Sequence, residues 1–406
     1  MKIWTQKSQN EIKNRVLGAL NTNVSYLDQS VLGVPGSFLD NKVFNRDAPF
    51  LEDAPFLKTL LENPNHIGCH TLETSEPFFE GTQAIEKELL DICAVDILKG
   101  KQGGYDGYVA SGGTEANIQA IWIYRNFYQT EFAAKNNEIV IICSEDTHYS
   151  IDKAANLLSI AIEKIAVNGN SRAIKSSSLK HALEDSKAKG KKYFIVICNM
   201  MTTMFGSVDD IATISQSLEQ EALEYKIHVD GAYGGFYYPF ADNQSSLTFQ
   251  NPRISSFTLD AHKMAQSPYG TGIFLIRKNL IHCANTKASY VKGEDYTLIG
   301  SRSGANAVAV WMILSKHGPK GWNEKVNELQ KRTLWLSQKL EAMGIEYFRN
   351  PFSNIITIQN QFIDSQISQK YWLVPDNHIH PKWQKIVVME HVTQNILSQF
   401  IEDLGG

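Results

Sequence analysis

The chain has 406 residues, enough for two or three packed units around a sizeable core and too many for a small disulfide scaffold. Hydrophobic residues make up 43% and charged residues 20%, a globular composition that excludes a disordered chain. With 39 basic against 43 acidic side chains the net charge is -4, so charge alone attracts neither nucleic acid nor anionic lipid.

No apolar run reaches the length of a signal peptide or a membrane span, so a cytoplasmic protein with no membrane partner is expected. Residues 10–20 pattern as a helix, whereas Leu32-Gly33-Val34-Pro35-Gly36 and Asn63-Pro64-Asn65-His66 are rich in turn formers. Residues 1–75 therefore read as an N-terminal arm that packs on another surface. A short strand ending at Ala110 leads into a helix over 117–135. Buried strands are expected at 139–143, 193–198, 226–230, 256–259 and 272–276, with helices over 179–187 and 211–224 between them. Continuous apolar runs, in place of strict alternation, are what a mostly parallel sheet covered on both faces requires. Residues 76–300 are assigned to this large domain.

Residues 301–406 form a smaller C-terminal α+β unit. An apolar stretch over 305–314 leads past Gly318-Pro319 into an amphipathic helix carrying Val326, Leu329, Leu336, Leu340 and Met343. Strands are expected at 354–358 and 385–389, and a last helix at 393–404. The cysteines, Cys69, Cys93, Cys143, Cys198 and Cys283, form no CxxC pair and read as reduced, structural thiols; no metal site is expected.

Three constellations carry chemistry. In Ser111-Gly112-Gly113-Thr114-Glu115-Ala116-Asn117 a small-residue turn opens a long helix, which suits a phosphate and equally suits a plain helix cap. In His228-Val229-Asp230-Gly231-Ala232 a carboxylate ends a buried strand, the place where open α/β sheets bind ligands, although an aspartate there also caps turns. In Asp260-Ala261-His262-Lys263 a strand runs into a polar turn; a lone lysine there is ordinarily solvated. The combination changes the reading. A cofactor aldehyde held as a Schiff base needs a lysine, its pyridinium nitrogen a carboxylate and its phosphate a donor-rich helix start.

These motifs, with Thr147-His148-Tyr149-Ser150, Gly300-Ser301-Arg302-Ser303-Gly304 and Val388-Met389-Glu390-His391-Val392-Thr393, resemble the pyridoxal-phosphate-dependent group II amino-acid decarboxylases. That family includes glutamate, histidine, aromatic and tyrosine or aspartate decarboxylases. The resemblance implies fold type I, with a mostly parallel, seven-stranded-type sheet in the large domain. It also implies pyridoxal 5'-phosphate as cofactor, a small-molecule amino-acid substrate and a homodimer with shared active sites. Lys263 resembles the Schiff-base lysine, Asp230 the partner of the pyridinium nitrogen, and His148 the ring stacked over the cofactor. Gly113, Thr114 and His262 would hold the phosphate, Thr203 (or Thr202) would lie near the ring, and Ser303 and Gly304 would reach the neighbouring subunit's phosphate.

Two departures stand out. Asp230-Gly231-Ala232 replaces the family's Asp-Ala-Ala, a small-for-small change. The segment 285–299 is shorter than the mobile catalytic loop of the larger animal enzymes; its Tyr290 and Tyr296 are the candidate proton donors, with Tyr296 preferred. The same scaffold also serves a carbon-carbon lyase of phosphorylated amino alcohols, an aminotransferase with Arg349 on the α-carboxylate, or an inactive binding module. Histidine, aspartate, glutamate and aromatic amino acids all stay open as substrates.

Overall fold

The structure is a computed structural model and describes residues 3–25, 39–40, 43–44, 47–67, 76–286, 289 and 294–405. Cys69 and Tyr290 lie outside the described residues.

All five apolar runs become strands of one sheet. Among the described residues that sheet has seven strands: β1 (Tyr105–Ala110), β2 (Ile139–Ser144), β3 (Ala161–Ile165), β4 (Tyr193–Asn199), β5 (Glu224–Gly231), β6 (Ile254–Asp260) and β7 (Gly272–Arg277). They lie in the order β1-β7-β6-β5-β4-β2-β3. β7 runs against both of its neighbours, and the other pairs are parallel. Every residue of β2 and β6 is buried, which is why these strands show unbroken apolar sequence. β3 was not expected. It is an edge strand with an exposed Ala161 and Lys164, so its sequence lacks an apolar run.

The helix expected over 211–224 ends at Gln220, and β5 begins at Glu224. Asp210 caps its start through the amides of Ala212 (3.0 Å) and Thr213 (3.3 Å), and Ala222, at φ 51°, turns the chain into the strand.

The N-terminal residues do not stand off from the rest. Helix α1 (Gln9–Thr22), started by a Ser8/Glu11 capping box, buries Ile12, Val16 and Ala19 in the large core. Trp4 is buried beside them and donates its indole N–H to the Leu314 carbonyl at 2.7 Å. Helix α2 (Glu80–Asp91) follows, then α3 (Gly113–Phe132) and α4 (Ser150–Leu158) behind the sheet.

The long helix α5 (Gly304–Ala342) bends at Gly318, whose φ of 61° precedes Pro319. A Cβ at Gly318 would meet Gln6 Cβ at 2.5 Å, so both the turn and the close approach demand glycine. Trp311 and Leu314 before the bend and Trp322 after it are buried in the large core, whereas Leu336 and Leu340 join the smaller one. That smaller core lies on a sheet of β8 (Tyr347–Phe348), β9 (Ile355–Gln359), β10 (Val374–Pro375) and β11 (Trp383–Val387), ordered β8-β9-β11-β10 and antiparallel throughout. Helix α6 (Gln394–Gly405) closes it with Leu397 and Phe400. Among the described residues no helix is long and apolar enough to cross a membrane.

Candidate active site

The carboxyl ends of β4, β5 and β6 face the start of α3, and a cavity opens where they meet. On one side β1 ends at Ala110 and α3 begins at Gly113. The N-cap residue is Gly112, which has no side chain to cap this helix start. Glu115 instead turns back to accept from the Ser111 amide (2.7 Å) and from the Tyr108 hydroxyl (2.9 Å). The Gly113 amide donates to Asp260 Oδ2 at 3.0 Å. A Cβ there would come within 3.1 Å of Ala232 Cβ and 3.2 Å of Asp260 Oδ2, so glycine is needed for the approach of helix to strand. Ser111, Thr114, His148, His262 and Lys263 border a cavity of about 330 Å³ at this helix end. A glycine-opened helix start with a hydroxyl, histidines and a lysine around it is a fitting cradle for a phosphate.

Asp230, at the end of β5, is buried. Its oxygens accept from the Ala232 amide (3.0 Å) and from Asn117 Nδ2 (2.9 Å). His148 lines the same cavity, with Nδ1 2.9 Å from Ser150 Oγ. Desolvation lowers its pKa; Asp230 works against that shift and Lys263 adds to it, which favours the neutral ring. His262 lies with Nδ1 2.6 Å from Asp260 Oδ1, not aligned as a hydrogen bond, and its ring packs on Tyr269. Desolvation raises the Asp260 carboxyl, opposed by the Gly113 amide and the neighbouring His262 and Lys263.

The opposite wall is apolar. Thr203, Tyr233, Lys263, Ile355, Lys385, Val387 and Met389, from the ends of the large sheet and from the smaller one, enclose about 320 Å³. Lys385 of β11 donates to the Thr203 carbonyl at 3.2 Å, and burial together with Lys263 lowers its pKa. Thr202 is buried with its hydroxyl on Ser207 Oγ (2.7 Å), so of the two threonines Thr203 is the one free to border the apolar cavity.

The structure thus brings together Gly113, Thr114, His148, Thr203, Asp230, His262 and Lys263. It does not bring Tyr296 to them. That phenol pairs with Glu294 and with His282 Nδ1 (3.0 Å), in the apolar cluster on the far side of α3. Ser303 accepts from the Asn306 amide (3.4 Å) at the start of α5, and the Gly304 amide donates to the Pro64 carbonyl (2.8 Å); neither lines these cavities. Arg349 does not line them either.

Residues 82–350 match the pyridoxal-dependent decarboxylase conserved domain. The chain belongs to this decarboxylase family. A tryptophan decarboxylase of Clostridium sporogenes is 49% identical over 100% of this chain and 97% of its own. A probable L-tyrosine/L-aspartate decarboxylase of Methanocella arvoryzae is 31% identical over 89% of this chain and 94% of its own. Among solved structures, L-methionine decarboxylase from Streptomyces sp. 590 superposes with a TM-score of 0.71 at 21% identity, covering 84% of this chain and 86% of that one.

This decarboxylase therefore has fold type I, uses pyridoxal 5'-phosphate and converts an amino acid to its amine and carbon dioxide. Bound, the cofactor supplies the electron sink for the pair left when the carboxylate departs. Sequence reasoning missed three neighbours of the decarboxylase site. Asn199 lines the slot beside Asp230 and donates to Asp209 Oδ2 (2.7 Å) and Thr147 Oγ1 (2.9 Å). Burial pushes the Asp209 carboxyl up to about 6. Lys385 read only as part of a strand, and Asn117 only as part of a motif.

Proposed function

We propose that this enzyme decarboxylates an aromatic L-amino acid, with tryptophan as the first candidate. The observation that carries the reading is the apolar wall of Tyr233, Ile355, Val387 and Met389 facing Lys263. A bulky apolar side chain loses water against that wall, whereas a carboxylate side chain would compete with the α-carboxylate for Lys385, the cation of the same cavity. The full-length likeness to the Clostridium sporogenes tryptophan decarboxylase supports the same choice.

In this reading Lys263 carries the cofactor, and Gly113, Thr114 and His262 hold its phosphate. Asp230 would keep the ring nitrogen protonated, and His148 and Thr203 would border the ring. Lys385 offers a positive charge to the substrate's α-carboxylate from the wall of the cavity. The C–C bond to that carboxylate breaks, carbon dioxide leaves, and one proton takes its place on the α-carbon. Tyr290 and Tyr296 are the candidate donors; Tyr296 would first have to leave Glu294. Ser303 and Gly304 serve the site of a second copy in a cytoplasmic homodimer, built from an arm over 1–75, a large domain over 76–300 and a small domain over 301–406.

The test is release of carbon dioxide and amine from the cofactor-loaded protein against the proteinogenic amino acids, with mass-spectrometric product identification. Turnover of tryptophan, or of phenylalanine and tyrosine, with none of aspartate or glutamate is expected. Turnover confined to an acidic amino acid overturns the substrate assignment, and a keto-acid product would point to an aminotransferase.

A further inference from the structure

Behind Asp230 lies a set of buried polar side chains whose hydrogen bonds run in one direction. With Asp230 as a carboxylate, an acceptor, Asn117 has to present its NH₂ group to Oδ2 (2.9 Å). The same nitrogen donates to Ser150 Oγ at 2.8 Å. Asn117 Oδ1 is thereby left for His228 Nε2, 2.9 Å away, so His228 carries its proton on Nε2. Nδ1 of that ring then accepts the Ser256 hydroxyl (2.6 Å), and Ser256 accepts from the Tyr124 phenol. His228 is fully buried and burial lowers its pKa to about 4, so the ring is neutral and the assignment is single.

The other branch ends at the second cavity histidine. Ser150, having accepted from Asn117, donates to His148 Nδ1 at 2.9 Å. The Ser150 backbone amide points at the same nitrogen from 3.2 Å, an independent sign that Nδ1 is an acceptor. His148 therefore carries its proton on Nε2. The fold explains the convergence. His228 and Asp230 are alternate residues of β5 and share a face, and Asn117 lies one turn into α3 from Gly113.

We infer that Asn117 is a positioning residue with two outputs: it holds the Asp230 carboxylate, and it orients the Ser150 hydroxyl that, with the Ser150 amide, holds the Nε2–H tautomer of His148. His228 holds Asn117 in the one orientation that does both. This rests on the roles given above to Asp230 and His148.

The test reads tautomers in the cofactor-free protein, by NMR correlation of ring protons with ring nitrogens in isotope-labelled histidine. Wild type is expected to show Nε2–H at both His148 and His228. Asn117→Ala, and the isosteric Asn117→Asp should the first fold poorly, are expected to raise the Nδ1–H share at His148 measurably, against the Ser150 amide that still points at Nδ1. His228→Gln, whose amide both donates to Asn117 and accepts from Ser256, is expected to keep the wild-type share. In the loaded enzyme Asn117→Ala should lower kcat about ten- to a hundredfold at nearly constant KM, the range for one hydrogen bond to a charged group, with His228→Gln close to wild type. An unchanged Nδ1–H share at His148 in both Asn117 variants, or an Nδ1–H His228 in wild type, overturns the inference. A raised share with undiminished kcat would uphold the linkage and remove the roles of Asp230 and His148.

Discussion

The amide of Gly113 donates to the carboxylate of Asp260 at 3.0 Å, joining the start of α3 to the end of the strand that delivers Lys263. Both ends of a bound cofactor would be held by this one junction, so its geometry sets how far phosphate cradle and lysine stand apart. Gly113→Ala would push a methyl group to 3.1 Å from Ala232 Cβ and 3.2 Å from Asp260 Oδ2, atoms that their own buried elements fix in place. The expected cost is about 1–3 kcal/mol of stability together with weaker cofactor binding. Urea unfolding and a cofactor titration of the variant measure the two effects.

Lys263 follows Asp260 by one turn and borders both cavities, which places its amine between the phosphate cradle and the apolar wall. Lys263→Ala removes the amine that attaches the cofactor. The variant should take up cofactor without covalent linkage, lose the visible absorbance of the loaded protein and fall at least about a thousandfold in turnover. Borohydride reduction followed by mass spectrometry of the intact chain checks the linkage; a cofactor adduct in the variant would remove Lys263 from its role.

How legible the site was follows from how each residue is held. Asp230 and Lys263 were readable because each ends an apolar run, and small residues beside them mark a close approach. The central strands were readable because burial on both faces leaves an apolar sequence, whereas β3, at the edge, has Glu163 and Lys164 where the pattern would need apolar residues. Lys385 was hidden because its place in the cavity depends on how the small domain docks, which no local pattern encodes. Asn117 and His228 meet across 111 positions of sequence, and a buried hydrogen bond leaves no periodic trace. Tyr296 was attractive as a polar loop residue, yet its carbonyl accepts from Gln119 (2.7 Å) and its ring is buried.

A second buried group fastens the segment that carries Ser303. Glu86 accepts from Arg302, from the Val109 amide (2.8 Å) and from His66 Nδ1 (2.7 Å), all in the interior. Burial alone would raise the Glu86 carboxyl, but Arg302 and the His66 hydrogen bond outweigh it and hold the group well below the usual carboxylate range. Arg302→Met strands that carboxylate and is expected to cost about 3–5 kcal/mol, while adding Glu86→Gln should return part of the loss. Chemical denaturation of the single and double variants decides it, because a purely steric defect at Arg302 would not respond to Glu86.

Acid should destabilise the protein through His228. Its pKa is about 4 in the folded chain against an ordinary 6.5, so the unfolded chain takes up a proton first as pH falls. The neutral ring's contribution is complete above pH 6.5 and is lost progressively down to about pH 4. Over that window the loss from this residue is about 3 kcal/mol. Asp209, raised to about 6, has the opposite sign, so the wild-type curve alone does not isolate the histidine. The stability of wild type minus that of His228→Gln does: it should fall by about 3 kcal/mol from pH 6.5 to pH 4, and a constant difference would mean that His228 is not buried neutral.

The apolar wall makes the substrate assignment testable without removing any polar group of the site. Val387, at the end of β11, is half-buried, packs against the large core and borders the cavity beside Lys263, so a side chain placed there meets both core and substrate. Val387→Asp sets a carboxylate where an aromatic ring would lie, and either that charge loses water or the ring loses its contact. A fall of about a hundredfold in kcat/KM for tryptophan is expected, and because Val387 also packs on the core, a thermal melt of the variant is measured beside it. The steady-state split matters: a rise in KM with constant kcat would mean that the wall only binds the ring. A fall in kcat would mean that it also orients the α-carboxylate for departure, as binding energy used away from the reacting bond should.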